Sequence, residues 1–347
     1  MKTSGQRIKQ VFLLFLLTLL LAACAPQQID ELPTAQIIVL DSPQFTITPS
    51  QPGTATPAPD PYLDYTIEAL ANRQYGKGEL IILEPLTETP EFTRYLISFP
   101  SDNLVISGFI DIPQGEGPFP VVLVLHGYVD PVGYLVETYT EPYASAFAQA
   151  GFIAIHPNYR NYPPSDSGPN LFRTGFAVDV LNLTAVVRHT AGQPGALQLA
   201  DGENVFLWGH SMGGGVAQRV ITVGADINGA VLYASMSGDE QQNYEHILNV
   251  LSDGSRGFPE LNVPEDALQR ISPVYHYERI SVPISIHHGN IDDVVPLEWS
   301  EDLCARLQEL GKEVECFTYR NMPHTFYGLN NDNFIQRSIE FFLRNMR

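Results

Sequence analysis

A single serine stands among glycines at residues 207–215, LWGHSMGGG, where Gly209, Ser211 and Gly213 form the pattern G-x-S-x-G. The apolar run NVFLWG before it reads as a buried strand and the stretch after it as a helix, the context of a nucleophile elbow. So tight a turn leaves no room for a Cβ at Gly209 or Gly213. Ser211 therefore stands clear of the sheet at a helix N-terminus, where free N–H groups and the macrodipole favour developing negative charge. A serine hydroxyl is a weak nucleophile until a base takes its proton and a third group orients the base. On a strand-and-helix framework of this kind the three follow in the order serine, acid, histidine, the acid after a late strand and the histidine after the last one. Two later stretches supply the partners: HHGNIDDVVP offers Asp292 and Asp293 in a loop, and NMPHTFYG offers His324. Together these groups could form and hydrolyse an acyl-enzyme.

Holding three such distant residues together requires a sheet. TRYLISF (93–99) and LVISGFIDI (104–112), separated by the turn signal PSDN, predict an antiparallel hairpin. PVVLVL (120–125), FIAIH (152–156), NVFLWG (204–209), GAVLYA (229–234), PISIHH (283–288) and EVECFTY (313–319) predict further strands, the first of them a short continuous apolar run of the kind buried on both faces. Helices are predicted over 139–150, closed by Gly151, over 174–190, after Ser211, over 297–310 and over 332–345. This alternation predicts an α/β fold: a mostly parallel, doubly wound sheet with helices on both faces. Residues 235–272 interrupt it with polar and short helical patterns and are placed to cap the serine. No internal repeat is present.

Other tempting residues have plainer readings. His287 and His288 are adjacent, so on a strand they face opposite sides and do not share a metal. No H-E-x-x-H is present, and the GGG after Met212 lacks the lysine and spacing of a phosphate-binding loop, so no metal or organic cofactor is implied. His126 and His210 are expected to hydrogen-bond loop backbone near the site rather than move protons. Asp179 is expected to be solvated or capping. The sequon at Asn182, Leu183 and Thr184 falls inside a predicted helix and is read as chance.

Within the stretch from about Tyr62 to the C-terminus six segments stand in order, FPSDNLVISGFIDIP, PFPVVLVLHGY, GFIAIHPNYR, GHSMGG, HHGNIDDVVP and MPHTF. With them the chain resembles an α/β-hydrolase, closest to the catalytic domain of the prolyl oligopeptidase family and its dienelactone-hydrolase and acyl-esterase relatives. The resemblance implies Ser211 as nucleophile, His324 as base and, from the family pattern HG-x-x-D-x-x-VP, Asp292 rather than Asp293 as acid. It also implies an oxyanion hole from the backbone N–H of Met212 and, by resemblance to H-G-x loops, of Tyr128, whose hydroxyl is a further candidate for the site. Substrates implied are short peptides or small carboxylic esters. The propeller that filters substrates in the peptidases needs at least four blades of roughly 40 residues each, more than residues 25–91 could supply. A surface binding protein that has lost activity is the competing class.

The N-terminus carries a different message. Lys2, Arg7 and Lys9 precede the apolar run 11–21, the pattern of an export signal over residues 1–23. LAAC (21–24) resembles the lipobox of bacterial lipoproteins, which implies lipidation of Cys24 and anchoring of an extracytoplasmic domain to a cell membrane. Residues 24–61, rich in Pro, Thr, Gln and Ala, are expected to form an unfolded tether, and 62–347 the catalytic domain. Of three cysteines, lipidation of Cys24 leaves Cys304 and Cys316, either a disulfide or two buried thiols. Lys and Arg total 19 against 39 Asp and Glu, a net charge of -20 with no basic patch, which argues against nucleic acid as a partner. The sequence fixes no oligomeric state.

Overall fold

Short apolar runs and Gly or Pro punctuation build a nine-stranded sheet in a computed structural model that describes residues 59–260 and 262–347. The signal segment, Cys24 and nearly all of the tether fall outside the described residues. The strands are β1 (Ile81–Glu88), β2 (Phe92–Ser101), β3 (Leu104–Pro113), β4 (Phe119–Leu125), β5 (Ile153–Pro157), β6 (Ala200–His210), β7 (Gly229–Tyr233), β8 (Ile284–Gly289) and β9 (Val314–Tyr319). The helices are α1 (Ile67–Ala71), α2 (Glu141–Gln149), α3 (Thr174–Thr190), α4 (Met212–Val223), α5 (Glu240–His246), α6 (Glu265–Ile271), α7 (Leu297–Glu309) and α8 (Gly328–Arg344).

The sheet order is β1-β2-β3-β5-β4-β6-β7-β8-β9. Pairing is antiparallel from β1 through β3 to β5 and parallel from β5 across to β9. Both faces of the parallel part are covered, which is why its strands read as apolar runs. Val121, Leu123 and Leu125 of β4 point into the cluster beneath α3 and α4, while Val122 and Val124 point into the one beneath α2 and α8. β6 alternates the same way, Val205 and Leu207 against Phe206 and Trp208. Each such side chain, fully buried, contributes roughly 1.5–3 kcal/mol.

Some elements depart from their sequence patterns. β1 was not expected: it is an edge strand containing Pro85, with two register shifts and a mostly exposed surface, so it shows no alternation. α2 starts at Glu141 rather than residue 139, because Tyr139 holds φ at 80°, outside the helical region. α8 starts at Gly328, four residues early; its polar first turns carry no apolar signal, and only Phe334, Ser338, Phe341 and Phe342 are buried. Asp179, expected to be solvated or capping, is fully buried in the middle of α3. Arg160 grips it through Nη2 at 2.8 Å, and the Ser101 hydroxyl donates to it at 2.6 Å. Cys304 of α7 and Cys316 of β9 are joined in a disulfide, with 6.4 Å between Cα atoms. No helix among the described residues is long and apolar enough to cross a membrane.

Candidate active site

β6 delivers the chain into a turn at Ser211 and α4 carries it away, with Ser211 at φ 56° and ψ -119°, a conformation L-residues rarely hold without support. Three backbone hydrogen bonds supply that support. The Ser211 N–H donates to Tyr233 O at 2.9 Å, and its carbonyl accepts from Met236 N at 3.0 Å and Gly215 N at 3.2 Å. A Cβ on Gly209 would lie 2.5 Å from Gly213 O, and one on Gly213 would lie 2.2 Å from Leu125 O, so both positions demand glycine.

His324 sits in the loop between β9 and α8, and Asp292 in the loop between β8 and α7. The His324 Nδ1–H donates to Asp292 Oδ2 at 2.8 Å, which leaves Nε2 as the basic nitrogen. Ser211 and His324 line one cavity; among the described residues no hydrogen bond yet joins them. Asp292 Oδ1 accepts from the N–H groups of Val294 at 2.8 Å and Val295 at 2.9 Å. Its Oδ2 also lies 3.0 Å from His288 Nε2, and the Ser300 hydroxyl meets the other ring nitrogen of His288 at 2.7 Å. Burial of the carboxyl favours its neutral form, but the hydrogen bonds from His288, His324 and Val295 outweigh it and hold Asp292 well below the usual carboxylate range. Asp293 is exposed and meets none of these groups. The structure thus brings Asp292, not Asp293, to the histidine. The supporting role of His288 was missed in the sequence, where the HH pair showed only opposed faces; His287 does turn the other way, against Phe317 and Phe334.

The loop after β4 passes directly beside the serine, since a Cβ on Gly127 would lie 3.1 Å from Ser211 Cβ. Tyr128 follows, and its N–H donates to no group among the described residues. Met212 opens α4, where the N–H has no partner in a preceding turn. Neither of the two amides named as oxyanion donors is engaged by another group among the described residues. Tyr128 lines the same cavity as Ser211, its half-exposed ring beneath the Arg256 guanidinium at 4.2 Å. A second tyrosine hydroxyl lies here, that of Tyr139, which meets the Cβ position of Gly127 at 2.7 Å and donates to His210 Nδ1. No sequence signal marks Tyr139, because its position depends on a left-handed backbone turn. His126 contacts the loop carbonyls of Gly127 and Asn158, and burial pushes its pKa down to about 4. His210 contacts the carbonyl of His324 on one side, as expected, but a side chain, Tyr139, on the other.

The cavity measures about 560 Å³. Residues 235–272 contribute Ile247, Leu251, Arg256 and Glu260 to its walls. That segment is pinned to the body by a buried ion cluster: Arg219 of α4 and Arg173 both bind Glu240, and Arg173 also binds Glu260 at 3.1 Å. Among the described residues no group of three His, Cys, Asp or Glu side chains is arranged to hold a metal ion.

A mostly parallel sheet with helices on both faces, and a serine on a strand-to-helix elbow at its edge, define an α/β-hydrolase, and the chain is a hydrolase of that class. Residues 178–347 match the model of the prolyl oligopeptidase family. Among curated relatives, an uncharacterized peptidase, YtmA, of Bacillus subtilis is 22% identical over 249 residues, covering 70% of this chain and 90% of that one. The lysophosphatidylserine lipase ABHD12 of Danio rerio is 24% identical over 208 residues, 56% of this chain and 50% of that one. Among solved structures, acetyl xylan esterase 1 from a Thermoanaerobacterium species superposes with TM-score 0.57 at 16% identity, covering 82% of this chain and 94% of that one. The acylaminoacyl peptidase of Pyrococcus horikoshii gives TM-score 0.59 at 19% identity, covering 75% of this chain and 43% of that one.

Proposed function

We propose that the chain is a serine hydrolase cleaving small carboxylic esters through an acyl-enzyme on Ser211, with His324 as base and Asp292 as orienting acid. The observation that carries this is the 2.8 Å contact between His324 Nδ1 and a buried, ionised Asp292, beside the cavity that holds Ser211. His324 Nε2 takes the hydroxyl proton as Ser211 Oγ bonds to the ester carbonyl carbon, and the N–H groups of Met212 and Tyr128 receive the oxyanion. The imidazolium then protonates the leaving oxygen as its bond to carbon breaks. Water repeats the sequence in reverse roles, releasing the acid and restoring the serine proton.

Esters are favoured over peptides because the walls are mainly apolar, with Phe176, Met236, Ile247 and Leu251 among them. Short peptides are the second reading, supported by the family match over 178–347. Labelling with a fluorophosphonate tests the reading: wild type should react and Ser211→Ala should not. A folded wild type that stays unlabelled would mean a binding protein instead. Turnover of Ser211→Ala should fall by at least ~10³-fold.

The chain is further proposed to be exported and held on a bacterial cell membrane through lipidated Cys24. The Cys304–Cys316 disulfide supports an oxidising compartment. Incorporation of labelled palmitate that disappears in Cys24→Ser is the expected result; equal labelling of both would sink it.

A further inference from the structure

Among the described residues three charged side chains face the cavity, and two of them are already satisfied. Arg173 and Glu260 belong to the ion cluster with Arg219 and Glu240, in which two cations balance two anions. Arg256 is the third. Its guanidinium donates through Nη2 to the Leu251 carbonyl at 3.2 Å and lies 4.2 Å over the Tyr128 ring, and among the described residues it has no carboxylate partner. A guanidinium has five N–H donors in one plane, so a ring against its face leaves the edge free for a bidentate acceptor. In a chain of net charge -20, a cation without a carboxylate partner on the wall of a mainly apolar cavity is conspicuous. It sits, moreover, against the residue whose N–H is the candidate oxyanion donor.

Building on the hydrolase reading above, we propose that Arg256 selects the substrate: an ester with an apolar body and one anionic group, carboxylate or phosphate, which the guanidinium edge binds while Ser211 attacks. Hydrophobic walls accept the body, and the cation discriminates against neutral analogues of the same shape. A charge-assisted pair of this kind is worth roughly tenfold or more in kcat/KM.

Two matched pairs of esters test this. The carboxylate arm compares the mono-4-nitrophenyl ester of glutaric acid with 4-nitrophenyl butyrate. The phosphate arm compares a short 1-acylglycerol 3-phosphate with the corresponding monoacylglycerol. Wild type is expected to favour the anionic member of at least one pair about tenfold, less at high salt. In Arg256→Gln that ratio should fall to about one, with Arg256→Lys between. A wild type that prefers the neutral member of both pairs, or an Arg256→Gln that keeps the wild-type ratio, overturns the inference. Fluorophosphonate labelling of the same samples separates the two levels: labelled protein without charge preference defeats the role of Arg256 alone, whereas folded, unlabelled protein defeats the hydrolase reading beneath it.

Discussion

The Nε2–H of His210 donates to the backbone carbonyl of His324 across 2.9 Å, with the two imidazole rings 4.5 Å apart. The residue beside Ser211 thus holds the loop that carries His324. Its other nitrogen must then be an acceptor, and the Tyr139 hydroxyl donates to it. Burial holds His210 well below the ordinary histidine pKa, in agreement with the neutral ring this pattern requires.

Tyr139→Phe removes that donor and leaves a buried nitrogen unpaired, at a cost of about 1–3 kcal/mol. Felt at the His324 loop, this should lower kcat roughly tenfold with a smaller change in KM. Steady-state kinetics with the rate of fluorophosphonate labelling checks it; unchanged kcat would show that the contact does not position the base.

The two neighbouring aspartates should differ sharply. Asp292→Asn replaces the acceptor for the His324 Nδ1–H and should reduce kcat by ~10³–10⁴. Asp293→Asn alters an exposed side chain and should stay within about twofold. Comparable losses in both variants would reject Asp292 as the acid.

Acid should begin to destabilise the protein before its carboxylates titrate. His126 and His287 titrate near 6.5 in an unfolded chain, but burial lowers them to about 4 and about 3 in the fold. Between those values the unfolded chain binds more protons, so stability is highest above pH 6.5 and falls as pH drops towards 4. Over that fall each of the two histidines removes about 3 kcal/mol. Denaturant midpoints measured from pH 7.5 to 4 should fall steadily, and His126→Gln, where it folds, should flatten the slope; a pH-independent midpoint would contradict this.

Reduction of the Cys304–Cys316 bond opens a loop with a sequence separation of 12 residues and should cost about 3 kcal/mol. The double Ser variant should melt several degrees lower while keeping kcat, since the bond ties α7 to β9 away from Ser211. Calorimetry and kinetics on one preparation read both.

The chemistry and the central sheet were legible because each rests on local necessity. Only glycine fits on either side of Ser211, and strands buried on both faces must be apolar throughout. These constraints write themselves into a few consecutive residues. β1 left no such mark, because an exposed edge strand with Pro85 and two register shifts has no buried face to impose alternation. Asp179 misled because nothing near it in sequence foretells its partner: Arg160 arrives from the loop after β5 and Ser101 from the end of β2.

Residue order alone determined the elbow, the serine–acid–histidine succession and the layered α/β framework. Tertiary structure decided which aspartate meets the histidine, that His288 and the Val294 and Val295 amides keep that carboxylate ionised, and that Tyr139 brings its hydroxyl to His210, the neighbour of Ser211. It also decided that Arg256 faces the cavity without a carboxylate partner among the described residues. The physical reason is the same in each case: these are contacts between loops at the ends of different strands, where the direction of a side chain follows from how the sheet twists and how the caps pack, not from its own neighbours in the chain.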